Sequence, residues 1–522
     1  MDNRWQVAAT ATGLLGLLAV GYWVFQSQTE DGTSATTGQA TGTEFAPNIL
    51  LIIADDLGVD KVDSYADDAS TDYRANAQYL PQTPVMDSLA TSGVRFTDAW
   101  ANSSCSPTRA ALYTGHHGFR TGMGSPTGLS GQEGLDPDQV TVADLLNTAG
   151  YKSAVFGKWH LGEGERPEEW SEDEGWAQYL DTPYAVQPGP MQMGYTMFVG
   201  DLEGKVDHTP FTGYYDWMRI EVRRPGGVVT TIATAQTDYV TRVTTDDALE
   251  WINRQSGLWM ATLGYHAPHT PLENPPADCV YGEAAAVAND TDTFRQMVEC
   301  LDMEIGRLLD GIEDLDDTLI VVVGDNGTQV GVNEDVFDDG RGKGTLYESG
   351  VRVPLIMADG RTWMADNQDG FVRTQDWRTS PRHIVDPGNE VADPVHVVDI
   401  AATLLDLAGA DPSQAVDGQS FTALLHDTND PIPTHVYAEQ FSSAGTGTAA
   451  IRVGDDKLVI QVTPGSVGNC RRTLELYDLL SDRFETNDRL AGDEPDTETR
   501  DALLDTLEGV IEPGSWLDVP NC

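Results

Sequence analysis

The chain has 522 residues, and its 31 lysines and arginines stand against 83 aspartates and glutamates, a formal net charge of −52 at pH 7. This charge excludes a broad nucleic-acid-binding face, because phosphate binding needs clustered lysine and arginine. The 40% hydrophobic content is enough for a sizeable buried core, and the length predicts roughly two to four domains. The excess of acid indicates a saline habitat, where salt screens self-repulsion; solubility charge on an exported protein is the alternative.

The N-terminal segment has the pattern of an export signal. Residues 7–25 form an uncharged apolar run behind Arg4, and about 20 such residues span a bilayer as a helix. We interpret residues 1–25 as a signal anchor or signal peptide, and favour an uncleaved anchor because no clear cleavage site follows. The polar residues 26–46 predict a flexible linker. The protein is therefore expected to be exported, and to be membrane-anchored at the cell surface, periplasmic or extracellular.

Four apolar runs in the body of the chain end in polar, glycine-containing segments. They cover residues 48–54, 151–156, 258–263 and 318–323. Such continuous runs are typical of strands buried on both faces of a parallel or mixed sheet. Apolar residues at helical spacing over 141–149 and 294–309 predict intervening helices, so the fold class is α/β. Because ligands of open α/β sheets bind at the carboxyl ends of the strands, we expect the four polar segments to converge there.

The sequence pattern changes near residue 431. Short strand-like runs at 450–454, 457–462 and 473–477 precede a helical stretch at 499–511. We therefore predict a main domain over 47–430 and a smaller α+β domain, with an antiparallel sheet, over 431–522.

Cysteine usage is typical of an exported protein. Cys279, Cys300, Cys470 and Cys522 could form two disulfides, most simply 279 with 300 and 470 with 522. This pairing leaves Cys105 as the odd cysteine.

Cys105 lies in the segment S-S-C-S-P-T-R-A-A-L-Y-T-G, residues 103–115. Pro107 suits the first turn of a helix, so Cys105 is predicted at a helix N-terminus, where free N–H groups favour a bound anion or an ionised nucleophile. Arg109, one turn further on, could brace that group. A free cysteine that caps a helix is the structural alternative.

The segment C-S-P-T-R resembles the C-x-P-x-R core of the type I sulfatases of the alkaline phosphatase superfamily. Further segments similar to family motifs follow the family's order: D-D at 55–56, G-K-W-H at 157–160, A-P-H-T-P at 267–271, G-D-N-G at 324–327 and R-G-K-G-T-L-Y-E-S-G-V-R-V-P at 341–354. Residues 476–491 resemble the family's C-terminal domain. The resemblance covers nearly the whole chain from Pro47, and it implies an alkaline-phosphatase-like large mixed sheet flanked by helices.

The resemblance also implies the cofactors and the site residues. Cys105 would be oxidised to formylglycine by a formylglycine-generating or other sulfatase-maturing enzyme, and the aldehyde hydrate would supply the nucleophile. One Ca²⁺ ion, which prefers oxygen ligands, would be held by Asp55, Asp56, the modified Cys105, Asp325 and Asn326. The catalytic positions would be Cys105, Arg109, Lys158, His160, His269 and Lys343.

The implied roles follow from the charges of these side chains. Lys158 and Lys343 would neutralise sulfate oxygens in the transition state. His269 is our choice of general acid for the leaving alcohol, with a lysine assisting, and His160 our choice of base for sulfate release. His266 is expected to face substrate or to support the site from behind. His116 and His117 either line the pocket or are structural.

The expected activity is hydrolysis of an aryl or carbohydrate sulfate monoester to an alcohol and inorganic sulfate. A phosphonate or phosphate monoester hydrolase of the same superfamily is the nearest alternative. A non-catalytic surface protein that binds sulfated glycans is a second. Substrate specificity is expected from loops over 162–247 and 364–391. Three tryptophans are candidates for stacking on sugar rings, Trp170, Trp176 and Trp217.

Overall fold

The computed structural model describes residues 46–66, 80–127, 134–162, 189–208, 210–223, 229–282, 289–334, 340–367, 384–411, 416–426, 435–442, 446–464, 470–511 and 516–517. The predicted anchor and all but the last residue of the predicted linker lie outside these ranges. None of the helices in these ranges combines the length and the hydrophobicity that a membrane span requires.

The described residues form strands and helices that we number in chain order. The strands are β1 (Asn48–Ala54), β2 (Gly93–Phe96), β3 (Ala99–Trp100), β4 (Lys152–Lys158), β5 (Met197–Asp201), β6 (Trp217–Arg223), β7 (Thr230–Gln236), β8 (Trp259–Gly264), β9 (Thr318–Gly324), β10 (Leu355–Asp359), β11 (Asn389–Val391), β12 (Val395–His396), β13 (Val436–Phe441), β14 (Gly447–Val453), β15 (Asp456–Pro464) and β16 (Cys470–Asp478). The helices are α1 (Asp63–Ala66), α2 (Pro84–Ser92), α3 (Cys105–Thr114), α4 (Gly118–Thr121), α5 (Val142–Thr148), α6 (Gly189–Gln192), α7 (Val240–Ile252), α8 (Asp290–Gly311), α9 (Glu348–Val351), α10 (Gly360–Asn367), α11 (Val397–Leu407) and α12 (Thr497–Val510).

A ten-stranded mixed sheet is the centre of the fold, in the order β11-β2-β10-β9-β1-β8-β4-β5-β6-β7. The strands β9, β1, β8, β4 and β5 run parallel, whereas β10 is antiparallel to β9 and β6 is antiparallel to β5. The four predicted buried runs are thus β9, β1, β8 and β4, side by side in the middle of the sheet. This arrangement brings their carboxyl ends to one edge.

Both faces of the central sheet are covered, which explains why its strands read as continuous apolar runs. In β1, Ile49 and Ile53 belong to one hydrophobic cluster and Leu50 and Ile52 to the other. Helices α3, α5 and α11 contribute to the first cluster, and α2, α7 and α8 to the second. The main body is therefore a three-layer α/β/α structure.

The C-terminal part contains a four-stranded antiparallel sheet in the order β13-β14-β15-β16. Leu503 and Leu507 of α12 pack against one face of it, with Leu458 and Ile460 of β15. The predicted fold class is confirmed. It consists of a large mixed sheet flanked by helices, followed in the sequence by a small antiparallel sheet. The domain boundary at residue 431 stays a prediction.

The segment 162–247, which the sequence predicts as a loop insertion, differs in the structure. Its described part contains β5, β6 and β7, which extend the central sheet to its edge, and the first half of α7. The polar composition of β7, T-T-I-A-T-A-Q, fits an edge strand that is only partly buried. Trp217, a candidate for sugar stacking, is instead buried in β6, where its indole N–H donates to the carbonyl oxygen of Asp238. Trp170 and Trp176 lie outside the described residues.

One of the two predicted disulfides is confirmed. Cys279 is bonded to Cys300 of α8, and Cys105 is a free, buried cysteine. The second predicted pair, Cys470 with Cys522, lies outside the residues whose side chains are described.

Candidate active site

Polar residues from the four central strands meet at one edge of the sheet, as the sequence predicts. Asp55 and Asp56 follow β1, and Asp325 and Asn326 follow β9. The two ends are joined directly, because the backbone N–H of Asp56 donates to Asp325 Oδ1 at 3.1 Å. Lys158 is the last residue of β4. The sheet thus brings together Asp56 and Asp325, which lie 269 positions apart in the sequence.

Helix α3 places Cys105 at its N-terminus, as predicted. Ser104 is the N-cap in an extended conformation, and Cys105 is only 1% exposed. Its sulfur lies 3.3 Å from Asp55 Oδ1 and 3.4 Å from Lys343 Nζ. Burial and the Asp55 carboxylate raise the pKa of the Cys105 thiol to about 12. The cysteine as encoded is therefore held as a neutral thiol.

Arg109 is fully buried one turn after Cys105, and it holds the site together. Its Nε and Nη2 donate to Asp325 Oδ2 at 3.1 and 2.8 Å, and its Nη1 donates to the carbonyl oxygen of Lys158 at 3.0 Å. Burial opposes the charged form, yet Asp325 and Asp55 hold the pKa of Arg109 above its usual value. This guanidinium thus ties the ends of β4 and β9 to α3.

Two lysines are paired with the two aspartates after β1. Lys158 Nζ lies 2.5 Å from Asp55 Oδ2, and both side chains are fully buried. Lys343 Nζ lies 2.5 Å from Asp56 Oδ1, and its side chain is 21% exposed. Although burial favours the neutral acid, Lys343 and His269 hold the pKa of Asp56 well below its usual range. Lys343 therefore marks the open side of a site whose other cations are enclosed.

A group of metal-binding side chains lies at the centre of this edge. One ligand atom from each of Asp55, Asp56, Cys105 and His269 lies within 4.8 Å of the others. Asp56 Oδ2 and Asn326 Oδ1 are buried and have no hydrogen-bond partner among the described residues. Buried acceptors without a donor are costly unless a cation satisfies them. The oxygen-rich donor set therefore fits a hard cation.

Of the three histidines of the site, His160 and His266 are buried and His269 is half-buried, and they differ in their contacts. His269 Nδ1 lies 2.6 Å from the carbonyl oxygen of Thr270, while burial, together with Lys158 and Lys343, lowers the pKa of His269 to about 3 despite Asp56. Burial and Lys158 hold the pKa of His160 well below its usual range. His266 is 2% exposed, and both of its ring nitrogens lack a hydrogen-bond partner among the described residues.

Backbone strain is concentrated at the same place. Asp56 and His160 have φ values of 66° and 57°, in the left-handed region that non-glycine residues seldom adopt. Such conformations persist where the surrounding structure enforces them, and they cluster at functional sites. Two of the predicted site residues thus have strained backbones.

Two supporting residues are not predicted from the sequence. The hydroxyl of Tyr214 lies 2.8 Å from the carbonyl oxygen of His266 and 2.7 Å from that of His269, and so fixes the loop after β8. Ser106 Oγ donates to the carbonyl oxygen of His160 at 2.8 Å. No spacing in the sequence relates Tyr214 to the histidines, whereas Ser106 lies inside the predicted motif.

The remaining histidine pair has structural contacts. His117 packs against the rings of Phe119, His396 and Tyr437. His116 Nδ1 lies 3.3 Å from Asp417 Oδ2. These contacts favour the structural interpretation of both residues.

The fold, a large mixed sheet flanked by helices with a small antiparallel sheet, is alkaline-phosphatase-like. The sulfatase family model matches residues 47–410. Arylsulfatase A from Homo sapiens is 30% identical over 434 residues, which covers 79% of this chain and 74% of the relative. The chain therefore belongs to the sulfatase family. The predicted enzyme class, a sulfuric ester hydrolase, is confirmed.

Solved structures share this fold at low identity. A protein in complex with its substrate D-glucosamine-2-N,6-O-disulfate matches with a TM-score of 0.64 at 19% identity, over 91% of this chain and 99% of that chain. The phosphonate monoester hydrolase of Agrobacterium radiobacter matches with a TM-score of 0.55 at 20% identity, over 89% of this chain and 94% of that chain. The phosphonate hydrolase is thus the more distant of these two neighbours.

Proposed function

We propose that this sulfatase works with formylglycine at position 105 and one Ca²⁺ ion. The observation that carries the proposal is the position of Cys105, at the N-terminus of α3 and in contact with both Asp55 and Lys343. A formylglycine hydrate there would supply one hydroxyl to attack the sulfur of the ester, which breaks the S–O bond to the alcohol. Deprotonation of the second hydroxyl would then break the C–O bond to sulfate and re-form the aldehyde, which water hydrates again. Sulfate release then needs no water to attack the enzyme.

The oxygens of Asp55, Asp56, Asp325 and Asn326, with the modified residue 105, are the ligands we propose for Ca²⁺. The unpartnered Asp56 Oδ2 and Asn326 Oδ1 support this choice. When bound, the ion supplies a Lewis acid that polarises the sulfate group. Arg109 holds Asp325 in place by two hydrogen bonds.

Lys158 and Lys343 hold positive charge against the sulfate oxygens. Both lie in a buried environment, where charge stabilisation is worth more than in water. The exposure of Lys343, 21% against 0% for Lys158, supports a position for Lys343 on the side from which the substrate enters. Lys343 therefore meets the sulfate group first, and Lys158 contacts its inner side.

His269 donates the proton to the leaving alcohol, with a lysine assisting. In the free protein its pKa is lowered to about 3 by burial and by Lys158 and Lys343. A bound sulfate ester brings a negative charge beside the ring and so raises that pKa. His160, buried beside Lys158, accepts the proton that sulfate release requires.

The substrate we propose is a sulfated saccharide, with small aryl sulfates as accessible surrogates. The structural neighbour that carries D-glucosamine-2-N,6-O-disulfate as its substrate supports this class. We further propose that the protein is exported and that a sulfatase-maturing enzyme modifies Cys105. The Cys279–Cys300 disulfide supports export, since disulfides persist in oxidising compartments. Attachment to the membrane through residues 7–25 stays a prediction.

Mass spectrometry of the peptide Phe96–Arg109, from protein purified from its native host, tests the modified nucleophile. We expect the mass of an aldehyde at position 105; a fully unmodified thiol in active protein would contradict the mechanism. Cys105→Ala must abolish sulfate release from 4-nitrophenyl sulfate. Matched aryl sulfate and aryl phosphonate esters test the centre attacked, and preferential phosphonate cleavage would favour the rival hydrolase.

A further inference from the structure

A row of uncharged polar side chains crosses the small antiparallel sheet. Each member lies directly opposite the next on successive strands, and the row consists of Gln440, Thr448, Gln461 and Thr473. Neighbouring strands lie about 4.8 Å apart, so the row is about 14 Å long. Such a ladder of amides and hydroxyls is not required for packing, because the apolar core of this sheet lies elsewhere.

The row lies on the face of the sheet opposite α12. Successive side chains alternate between faces, so Gln461 shares a face with Val459, which packs with Trp100 and Leu346 of the main body. Gln461 and Thr473 are exposed, just beyond that packed region. Among the described residues, none of the four side chains in the row is engaged in a hydrogen bond. Their donors and acceptors are therefore available to a ligand.

The row forms one wall of a cavity of ≈ 180 Å³, and residues 344–347 form the other. This second wall directly follows Lys343, the partly exposed cation of the active site. The backbone N–H of Gly344 donates to the carbonyl oxygen of Ser103 at 2.7 Å, close to Cys105 in the chain. The cavity thus begins one residue beyond the open side of the catalytic site.

The cavity wall is held rigidly at its far end. The hydroxyls of Tyr347 and Tyr477 both donate to Glu475 Oε2, at 2.7 and 2.9 Å. The guanidinium of Arg341 lies 3.9 Å from the centre of the Tyr347 ring. Among the described residues that line the cavity, Glu475 is the single charged side chain. A second sulfate group would therefore be repelled here, in contrast to the cation-rich catalytic site.

We propose that this cavity is a carbohydrate subsite that binds an unsulfated sugar residue next to the sulfated one. The inference rests on the saccharide substrate proposed above. Amides and hydroxyls both donate and accept hydrogen bonds, as sugar hydroxyls do, and the fixed Glu475 carboxylate accepts from hydroxyls but excludes sulfate. The cavity is smaller than the roughly 300–1,000 Å³ of pockets for drug-sized ligands, so it takes a single sugar residue of a chain.

The test compares Gln461→Ala and Thr473→Ala with the wild type on two kinds of substrate. The substrates are 4-nitrophenyl sulfate, and sulfated galactan and glycosaminoglycan saccharides of one to six residues. We expect the wild type to prefer the longer saccharides over the monosaccharide in kcat/KM. Each variant should lose about 3- to 10-fold of kcat/KM on the longer saccharides, mainly through KM, as the loss of one hydrogen bond predicts. Activity on 4-nitrophenyl sulfate should be unchanged.

Two further variants sharpen the experiment. Thr506→Ala alters a half-buried threonine of α12, on the other side of the same sheet, and should match the wild type on every substrate. Glu475→Gln removes the repelling charge, so it should raise kcat/KM for saccharides that carry a second sulfate on the neighbouring residue.

The possible failures are distinguishable. A wild type that hydrolyses sulfated monosaccharides without any preference for longer chains would overturn the subsite and leave the proposed function intact. Equal losses on 4-nitrophenyl sulfate and on saccharides would show a structural role for the row, and would also overturn it. Hydrolysis of 4-nitrophenyl sulfate without hydrolysis of any saccharide would overturn both the saccharide substrate and the subsite.

Discussion

The ammonium group of Lys343 lies 3.4 Å from the sulfur of Cys105, across 238 residues of sequence. The same group lies 2.5 Å from Asp56 Oδ1. One side chain thus joins the position of the nucleophile to an aspartate of the proposed metal site. Because Lys343 is also partly exposed, it connects these enclosed groups to the solvent side from which an ester arrives.

Replacement of Lys343 by alanine should reduce kcat on 4-nitrophenyl sulfate by roughly 10²- to 10³-fold, the usual effect of removing one group that stabilises developing charge. Lys152→Ala is a matched control, since Lys152 is exposed at the other end of β4 from Lys158. The control should keep its kcat, and both variants should show folded circular dichroism spectra. A Lys343→Ala enzyme within a few-fold of the wild type would contradict the proposed role.

Removal of divalent ions should lower both activity and thermal stability. A chelator leaves Asp56 Oδ2 and Asn326 Oδ1 buried without a partner, and a ligand at 100 times its Kd stabilises by about 2.7 kcal/mol. We expect Ca²⁺ to restore the melting temperature more effectively than Mg²⁺, which binds all-protein sites reluctantly. Asn326→Ala should abolish this Ca²⁺ response, and Asp138→Asn, at an exposed position, should retain it. A melting temperature that does not change when Ca²⁺ is removed or added would contradict the proposed metal site.

His266 should contribute to catalysis at the expense of stability. Its two buried ring nitrogens lack partners among the described residues, and an unsatisfied buried polar group costs about 1–3 kcal/mol. His266→Phe should therefore keep or raise the melting temperature while it lowers kcat/KM by about 10-fold. Differential scanning calorimetry and steady-state kinetics on one preparation measure both quantities. A destabilised variant with normal kinetics would show that the ring only supports the fold.

Asp302 in α8 should make stability depend on pH. Burial raises the pKa of Asp302 to about 7, although its carboxylate accepts from the backbone N–H groups of Met86 and Val85. Between the unfolded value of 3.8 and about 7 the folded state binds the extra proton, so the free energy of unfolding falls as pH rises and levels off above 7. The free energy of unfolding of Asp302→Asn, measured relative to that of the wild type, should therefore rise by about 2–3 kcal/mol from pH 5 to pH 8. Urea unfolding at both pH values measures this gain, and parallel curves would refute it.

Salt should stabilise the protein if the net charge of −52 reflects a saline habitat. The Debye length falls from about 10 Å at 0.1 M salt to about 3 Å at 1 M, so self-repulsion is screened. Melting temperature and kcat on 4-nitrophenyl sulfate should both rise over this range of NaCl. A flat or falling profile would argue against salt adaptation and would leave the sulfatase assignment untouched.

The sequence predicts the centre of the fold better than its edges. Strands β1, β4, β8 and β9 are buried on both faces, so their apolar runs are unmistakable. The edge strand β7 has no such run, and its segment is taken for a loop. Helix α8 begins at Asp290, before the predicted residue 294, because Asn289 caps it and its first turn is polar. Burial, rather than propensity, thus decides what the pattern can show.

The candidate site is predicted as a set of residues but not as a network. Motifs at the strand ends locate Asp55 and Asp325, and the motif at the start of α3 locates Cys105. They do not reveal that Arg109 binds Asp325, because that contact spans 216 residues. Nor do they reveal Tyr214, whose hydroxyl holds the loop after β8. Such contacts arise from the register of the sheet, which no short segment specifies.

The 1% exposure of Cys105 also constrains the timing of biosynthesis. Its sulfur is in contact with Asp55 and Lys343, which lie 50 and 238 positions from Cys105 in the sequence. The maturation enzyme proposed above would therefore have to reach the thiol while the chain is still unfolded. Once the central sheet has formed, an unmodified molecule would keep its Cys105 thiol for as long as the protein stays folded. Protein produced in a host that lacks the maturation enzyme should consequently be well folded, soluble and inactive.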